Sequence, residues 1–125
     1  MRYIRYAVGE KSAHPDELTG IVTEARFLID KKLVTKKEKQ FIQGIFRSLN
    51  KRLLCPPWSE NDWEYGVSWF KQKYVSKFAN EIKLLAAFLI KHGRPFRVIH
   101  RNDPGKIVYR DIYQVVAIAW RDVEE

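Results

Sequence analysis

Residues 96–120 read FRVIHRNDPGKIVYRDIYQVVAIAW, and this stretch decides the fold. Its alternation of apolar and polar residues predicts two strands, Phe96–Arg101 and Lys106–Arg110, separated by the turn-forming residues 102–105 (NDPG). The run that follows, 113–120, is apolar on both of its faces, which is typical of a central, covered strand. The stretch therefore predicts a β-hairpin followed by a third strand.

A four-residue loop fixes which residues of this hairpin face each other. The predicted solvent-facing side carries the facing pairs Arg97 and Arg110, Ile99 and Val108, and Arg101 and Lys106. The side turned towards the helices carries Phe96, Val98, His100, Ile107, Tyr109 and Asp111. Facing like charges repel each other, so this arrangement of four cations does not favour folding. It indicates a concentrated positive surface that would bind an acidic partner. An ordinary solvated sheet face explains the same residues, and a slip of one residue would exchange the two sides.

The first half of the chain predicts one strand and two helices. Residues 2–8 alternate as in a strand, and the polar residues 9–18 around Pro15 form a loop. Thr19 caps the first helix. The second helix begins with a capping box between Thr35 and Glu38. Its predicted core stripe comprises Phe41, Ile42, Ile45, Phe46, Leu49 and Leu53.

The remaining segments complete the predicted architecture. Residues 55–72 lack a helical period and form an irregular segment, and residues 74–91 form a third helix closed by Gly93. We therefore predict a single α+β domain over residues 1–125, in the order β-α-α-α-β-β-β. About four strands, in an antiparallel or mixed sheet with the first strand beside the last, pack on three helices.

Composition places the chain among folded basic proteins. Twenty-three Lys and Arg residues against fifteen Asp and Glu give a net charge of +8, with 46% apolar residues. Such a charge attracts nucleic acid, acidic protein surfaces or anionic lipid, but it also occurs in proteins with no specific anionic partner. A single cysteine, Cys55, and the lack of a signal peptide or a membrane-spanning run predict a cytoplasmic protein without a membrane partner.

Five lysines surround the predicted turn between the first two helices: Lys31, Lys32, Lys36, Lys37 and Lys39. Lys36 and Lys37 fall in a first helical turn, where the helix dipole disfavours cations, so we take these two as candidate partner-binding residues. Lysines here would also suit phosphate contacts, although no known nucleic-acid-binding motif accompanies them. A solvated helix face remains the simpler explanation.

Residues 55–72 carry three of the four tryptophans. Trp69 is expected to be buried, whereas Trp58 and Trp63 are candidates for an exposed interface hot spot. The alternative is that all of them close the bottom of a small core.

No catalytic, cofactor or metal motif is present, so we expect a protein that is not an enzyme and has no cofactor. The one candidate pair for acid–base chemistry is His100 with Asp111 across the hairpin, and an ordinary core histidine explains His100 better. Cys55 lacks a neighbouring base, and neither metal ligands nor a glycine-rich phosphate loop occurs at a suitable spacing.

Three segments together resemble a widespread family of small uncharacterised bacterial proteins: 66–71 (GVSWFK), 104–111 (PGKIVYRD) and 114–117 (QVVA). The resemblance covers nearly the whole chain, including the N-terminal strand. It implies a bacterial or phage origin and no known activity. Members of this family tend to be acidic where this chain has Lys106, Arg110 and the lysine cluster.

These observations favour a non-enzymatic binding protein whose basic face engages an acidic protein, as an immunity protein, antitoxin or inhibitor does. The candidate partner-binding residues are Arg97, Arg101, Lys106, Arg110, Lys36, Lys37, Trp58 and Trp63. The alternative is a nucleic-acid-binding protein that uses the lysine cluster and the hairpin together.

Overall fold

The computed structural model describes residues 1–9, 18–58, 61, 63 and 65–123. Its strands are β1 (Tyr3–Val8), β2 (Thr19–Gly20), β3 (Gly66–Lys71), β4 (Phe96–Arg101), β5 (Lys106–Arg110) and β6 (Gln114–Ile118). Its α-helices are α1 (Ile21–Asp30), α2 (Lys36–Asn50) and α3 (Ala79–Lys91), with 3-10 segments at Gln72–Phe78 and Trp120–Asp122. The predicted loop around Pro15, with His14, falls on residues outside these ranges.

The strands form one antiparallel sheet in the order β4-β1-β3-β6-β5, and β2 pairs with the end of β1. The α+β class and the three helices are confirmed, but the sheet has six strands where about four were predicted. The first strand lies between β4 and β3, so the prediction that it neighbours the last strand is wrong.

β4 and β5 do not form the predicted hairpin, although both strands have the predicted bounds. Each step across β4-β1-β3-β6-β5 is antiparallel, so β4 and β5 run in the same direction at opposite edges of the sheet. A hairpin needs opposite directions. Instead, β4 and β5 follow one another along an extended segment that bends at residues 102–105. Before the bend the segment pairs with β1, and after the bend it pairs with β6.

Gly105 and Asp103 build this bend. Gly105 has φ +117°, and a Cβ there would lie 2.1 Å from the carbonyl oxygen of Ile118, so only glycine fits. Asp103 accepts a hydrogen bond from the Gly105 amide at 3.0 Å and another from the Trp120 indole at 2.8 Å. Residues 102–105, which were predicted to form a hairpin turn, thus form a corner between two parts of the sheet.

The sheet has an outer face and an inner face, which are buried differently. The outer face packs through Tyr6, Val8, Phe70 and Phe96 against the helices. The inner face buries Tyr3, Ala7, Trp69, Ile99, Val115 and Ala117 in a second cluster that contains no helix residue. Because only strand residues and Leu18 make up this second cluster, the sheet curls to cover its own inner face.

The helices agree closely with the sequence patterns. The capping box of α2 is present, with Glu38 accepting from the Thr35 amide at 2.9 Å and Thr35 accepting from the Glu38 amide at 3.1 Å. Gly20 rather than Thr19 is the N-cap of α1, because the helix begins at Ile21. Phe41, predicted in the core, is exposed. The predicted third helix, 74–91, begins inside the 3-10 segment Gln72–Phe78, and only Ala79–Lys91 is α-helical.

β3 was predicted as part of an irregular segment, and it is instead a central strand between β1 and β6. Val67 and Trp69 lie on the inner face and Phe70 lies on the outer face, as strand alternation requires. The final apolar run is confirmed as a central strand, with Gln114, Val115, Val116 and Ala117 all buried in β6.

Candidate binding surfaces

Arg97 and Arg101 are not on the solvent-facing side predicted for them. They lie opposite Ala7 and Tyr3 of β1 and therefore share the inner face with Ile99, which is only 7% exposed. Both arginines are half-buried. The predicted face is wrong because β4 pairs with β1, whose inner side is a core.

Lys106 and Arg110 of β5 are exposed, but they face different sides of the sheet. A register shift within β5 places Lys106 opposite Ile118 and Arg110 opposite Val115. Val115 belongs to the inner cluster, and Ile118, three residues along β6, points to the other side. The four cations of the predicted hairpin are consequently divided between two edges and two faces.

The lysine cluster forms an exposed surface at the junction of α1 and α2. All five lysines are exposed, and none forms an ion pair with a described residue. Three large apolar side chains beside them are also exposed, at 44%, 53% and 51%: Phe27, Leu33 and Phe41. We call these eight residues the basic end.

Phenylalanine and lysine side chains are interleaved in the basic end. The Lys31 ammonium lies 5.9 Å from the centre of the Phe27 ring, a cation–π distance. Lys37 and Phe41 are four residues apart on α2, which makes them neighbours on one helix face. The surface therefore offers charge and apolar area in the same place.

Several lysines of the basic end occupy positions where lysine does not favour folding. Lys32 has φ 57°, the left-handed conformation in which the end of α1 is closed by bonds from Lys32 N to Ile29 O and from Leu33 N to Leu28 O, both 3.0 Å. Glycine is the usual residue at such a position. Lys36 and Lys37 occupy the first turn of α2, at the positive end of its dipole.

Trp58 and Trp63 are half-buried and pack in an aromatic row. Their rings meet edge to face with centroids 5.6 Å apart, and Trp63 lies 6.1 Å from the ring of Tyr109. A Cβ on Gly66 would approach both tryptophans and Val116 within about 3 Å, so the row sits tightly on β3 and β6. Among the described aromatic residues, Tyr65 and Trp120 are more exposed, at 58% and 59%.

His100 and Asp111 do not meet. His100 is exposed on β4 at one edge, and Asp111 follows β5 at the other. Asp111 accepts from Tyr109 Oη and the Tyr113 amide, both at 2.9 Å, and from the amide and side chain of Gln114. Burial acts to raise the pKa of Asp111, but these hydrogen bonds outweigh it and lower the pKa. Asp111 thus holds the β5–β6 turn.

The structure contains a cleft that we did not predict from the sequence. It lies along the edge of β1 that pairs with two strands, β2 and β3. β3 pairs with Tyr3 and Ile4, and β2 pairs with Ala7 and Val8, so neither strand pairs with Arg5 and Tyr6 on this edge. The strands therefore splay, and a cavity of about 350 Å³ lies in the gap. The start of α1, the second half of α2 and residues 53–58 surround it.

Apolar side chains form most of the cleft wall: Ile21, Val22, Phe46, Leu49, Leu53, Trp58 and Phe70. Two arginines also line it. Arg5 is 7% exposed and donates to the Leu18 carbonyl, whereas Arg26 is exposed and stacks 5.4 Å from the centre of the Phe46 ring. No carboxylate lines the cleft among the described residues.

Trp69 borders this cleft and also the smaller cavity of about 300 Å³ beside the bend. The residue is 3% exposed, and its indole Nε1 has no acceptor among the described residues. Buried indole N–H groups usually have a partner, so an unsatisfied one calls for an explanation. Strand alternation in GVSWFK was the signal that could have placed Trp69 here.

Comparison with protein-family models, with curated proteins and with solved structures finds no match for this chain. In the ranges that the structure describes, no helix is both long and apolar enough to cross a membrane. Those ranges also hold no cluster of three or more His, Cys, Asp or Glu side chains that could bind a metal ion. The basic end and the cleft are therefore the two candidate functional sites of the described structure.

Proposed function

We propose that this protein is a non-enzymatic binding protein that engages an acidic protein partner through the basic end. The observation that carries the proposal is the position of Lys32, Lys36 and Lys37. All three are exposed without ion pairs to described residues, at sites where other residues would stabilise the helices. Residues that disfavour folding are typical of functional surfaces.

Exposed apolar side chains favour a protein over a nucleic acid as the partner. Phe27, Leu33 and Phe41 would be buried in a protein interface, where aromatic residues are enriched, whereas a phosphate backbone offers them no apolar contact. The lysines would then pair with acidic residues around this apolar centre. Under this proposal the chain acts as an immunity protein, antitoxin or inhibitor does, by covering an acidic surface.

Two variants separate binding from folding. Lys36→Glu with Lys37→Glu removes cations from the positive end of α2, so each change should stabilise the fold by about 0.3–1 kcal/mol. Lys32→Gly removes a charge and relieves the left-handed conformation, which should add about 1 kcal/mol. Lys73→Glu with Lys83→Glu is the matched control, because it changes the same charge at exposed sites on other elements.

The measurement is capture of partners from nuclease-treated bacterial extract by the immobilised protein over a series of salt concentrations. We expect one acidic protein to be retained by the wild type and the control, and to bind the Lys36→Glu, Lys37→Glu variant roughly tenfold more weakly. Equal retention by all variants would exclude the basic end. Capture from untreated extract that is lost in the nuclease-treated extract, with steeply salt-dependent binding of DNA or RNA, would replace the acidic protein with a nucleic acid.

A further inference from the structure

We propose that the cleft between β1 and β3 binds a small organic anion with an apolar body, such as an aromatic carboxylate. The cleft exists because β2 and β3 pair with different ends of β1, which leaves a gap between these two strands along that edge of β1.

The dimensions of the cleft favour a small molecule. Its volume of about 350 Å³ is near the lower end of the range of about 300–1,000 Å³ that is common for ligand pockets. Phe46, Trp58 and Phe70 provide aromatic walls, and Leu49 and Leu53 provide aliphatic ones. Walls of this composition with a few polar groups suit a ligand that is apolar over most of its surface.

The charge of the cleft favours an anion. Arg26 lines it, with its guanidinium carbon at a cation–π distance of 5.4 Å from the centre of the Phe46 ring, and forms no ion pair with a described residue. This contact positions the guanidinium beside the ring while its N–H groups remain available to a carboxylate. The described lining contains no Asp or Glu that would compete for it.

Hydrogen-bond donors without partners border the same cleft. The first residues of α1, Ile21–Thr23, line it, and the N-cap Gly20 provides no side-chain cap for their amides. Independently, Trp69, one of the residues that line the cleft, has a buried indole N–H that lacks an acceptor in the described structure. A ligand carboxylate or phosphate supplies the acceptors that both groups lack.

Two probes of the same shape and different charge test the proposal. Naphthoate is an aromatic carboxylate, and naphthylmethanol replaces its carboxylate by a neutral alcohol. Titration into the full-length protein, followed by calorimetry and by 1H–15N NMR, gives affinity and location. We expect naphthoate to bind roughly tenfold more tightly than naphthylmethanol, because a charge-assisted hydrogen bond is lost in the alcohol. The Ile21–Thr23 amides and the Trp69 indole should shift.

Two variants localise the anion without removing core side chains. Arg26→Gln should weaken naphthoate binding roughly tenfold, whereas Arg47→Gln, an exposed arginine outside the cleft, should leave it unchanged. Gly20→Asp places a carboxylate at the N-cap, where a Cβ meets nothing within 4 Å, so the protein should fold while naphthoate binding is lost. Gly20→Asn caps the helix without adding a charge and should retain part of the binding.

Four results would overturn the proposal. They are no detectable naphthoate binding, equal affinity for the two probes, an equal loss of binding in Arg26→Gln and Arg47→Gln, and full binding by Gly20→Asp. Shifts confined to Gly105 and Trp120, which border the cavity beside the bend, would assign the anion to that cavity and so reject the cleft. Melting curves of all variants establish that each loss of binding occurs in a folded protein.

Discussion

The outer face of the sheet is covered by three helices, whereas the inner face is covered by the curl of the sheet itself. The outer core is built mainly from regularly spaced aliphatic and aromatic residues of α1, α2 and α3. The inner core places Trp69, Ile99 and Val115 among arginines, since Arg5, Arg97 and Arg101 share their face. The outer core can be inferred from the spacing of residues within each helix, whereas the inner core forms only when strands that are distant in the sequence pair with each other.

This difference explains where the candidate sites lie. The basic end belongs to the helical layer, and its residues are close in sequence. The cleft lies where the two layers meet, because β1 changes partner at its middle and α1 begins beside the gap. Side chains of the packed helices form walls of the cleft, and the separation of β1 from β3 gives the cleft its depth.

Among the variants that distinguish the curled sheet from the helical layer, Gly105→Ala should cause the largest loss of stability. The new Cβ would collide with the Ile118 carbonyl, and the left-handed backbone at φ +117° would be strained, so the sheet could not close over its inner face. We expect a loss of more than about 3 kcal/mol in the free energy of unfolding, measured by urea denaturation.

Gly93→Ala is the control for that experiment, since Gly93 also has positive φ, +71°, but a Cβ there meets nothing within 4 Å. It should cost only about 1–2 kcal/mol. If Gly105→Ala and Gly93→Ala lowered the free energy of unfolding equally, the steric collision at the bend would contribute nothing to stability beyond the backbone strain that both variants share.

Removal of one aliphatic side chain from each core should give the next largest effects. Leu85, on α3, is fully buried in the outer core, and Leu85→Ala should cost about 3 kcal/mol. Ile99, on the edge strand β4, is buried in the inner core, and Ile99→Ala should cost about 2 kcal/mol because an edge strand can shift to fill the space. A greater loss at Ile99 would make the inner core the more rigid one.

Acid should loosen the helical layer through Glu38, with a smaller effect. A hydrogen bond from the Thr35 amide, then the bond to His92, lowers the pKa of Glu38 from 4.5 to about 2. Because the folded-state pKa is below the unfolded value, this stabilisation is complete above about pH 5 and is lost as the pH falls towards 2. Denaturation at a series of pH values should show a decline that is shallower in Glu38→Gln. An identical decline in both proteins would contradict this role.

Most helices and strands could be predicted from the sequence because their causes are local. The capping box of α2 depends on Thr35 and Glu38 alone, and the bounds of β4 and β5 follow from alternation within each strand. β3 escaped prediction because it lies in a segment rich in tryptophan and turn-forming residues. Phe41 matched the helical period, yet none of the described elements covers its side of α2.

Strand partners and the cleft could not be predicted, since both depend on distant pairing. The sequence of residues 102–105 suits a tight turn as well as it suits the observed bend, and only the antiparallel partners β1 and β6 distinguish them. The basic end could be found because its lysines are neighbours in sequence. The cleft brings together Arg5, Arg26 and Trp69, which no pattern in the sequence connects.

The pairing of β1 with β4 also has a consequence for biosynthesis. Tyr3 pairs with Arg101, so β1 leaves the ribosome well before its main partner, β4, has been made. At about 5–20 residues per second, this delay is roughly 5–20 s. During that time Ile4 and Tyr6 remain on a strand without its β4 partner, which makes the nascent chain a natural client for chaperones and places completion of the sheet late in folding.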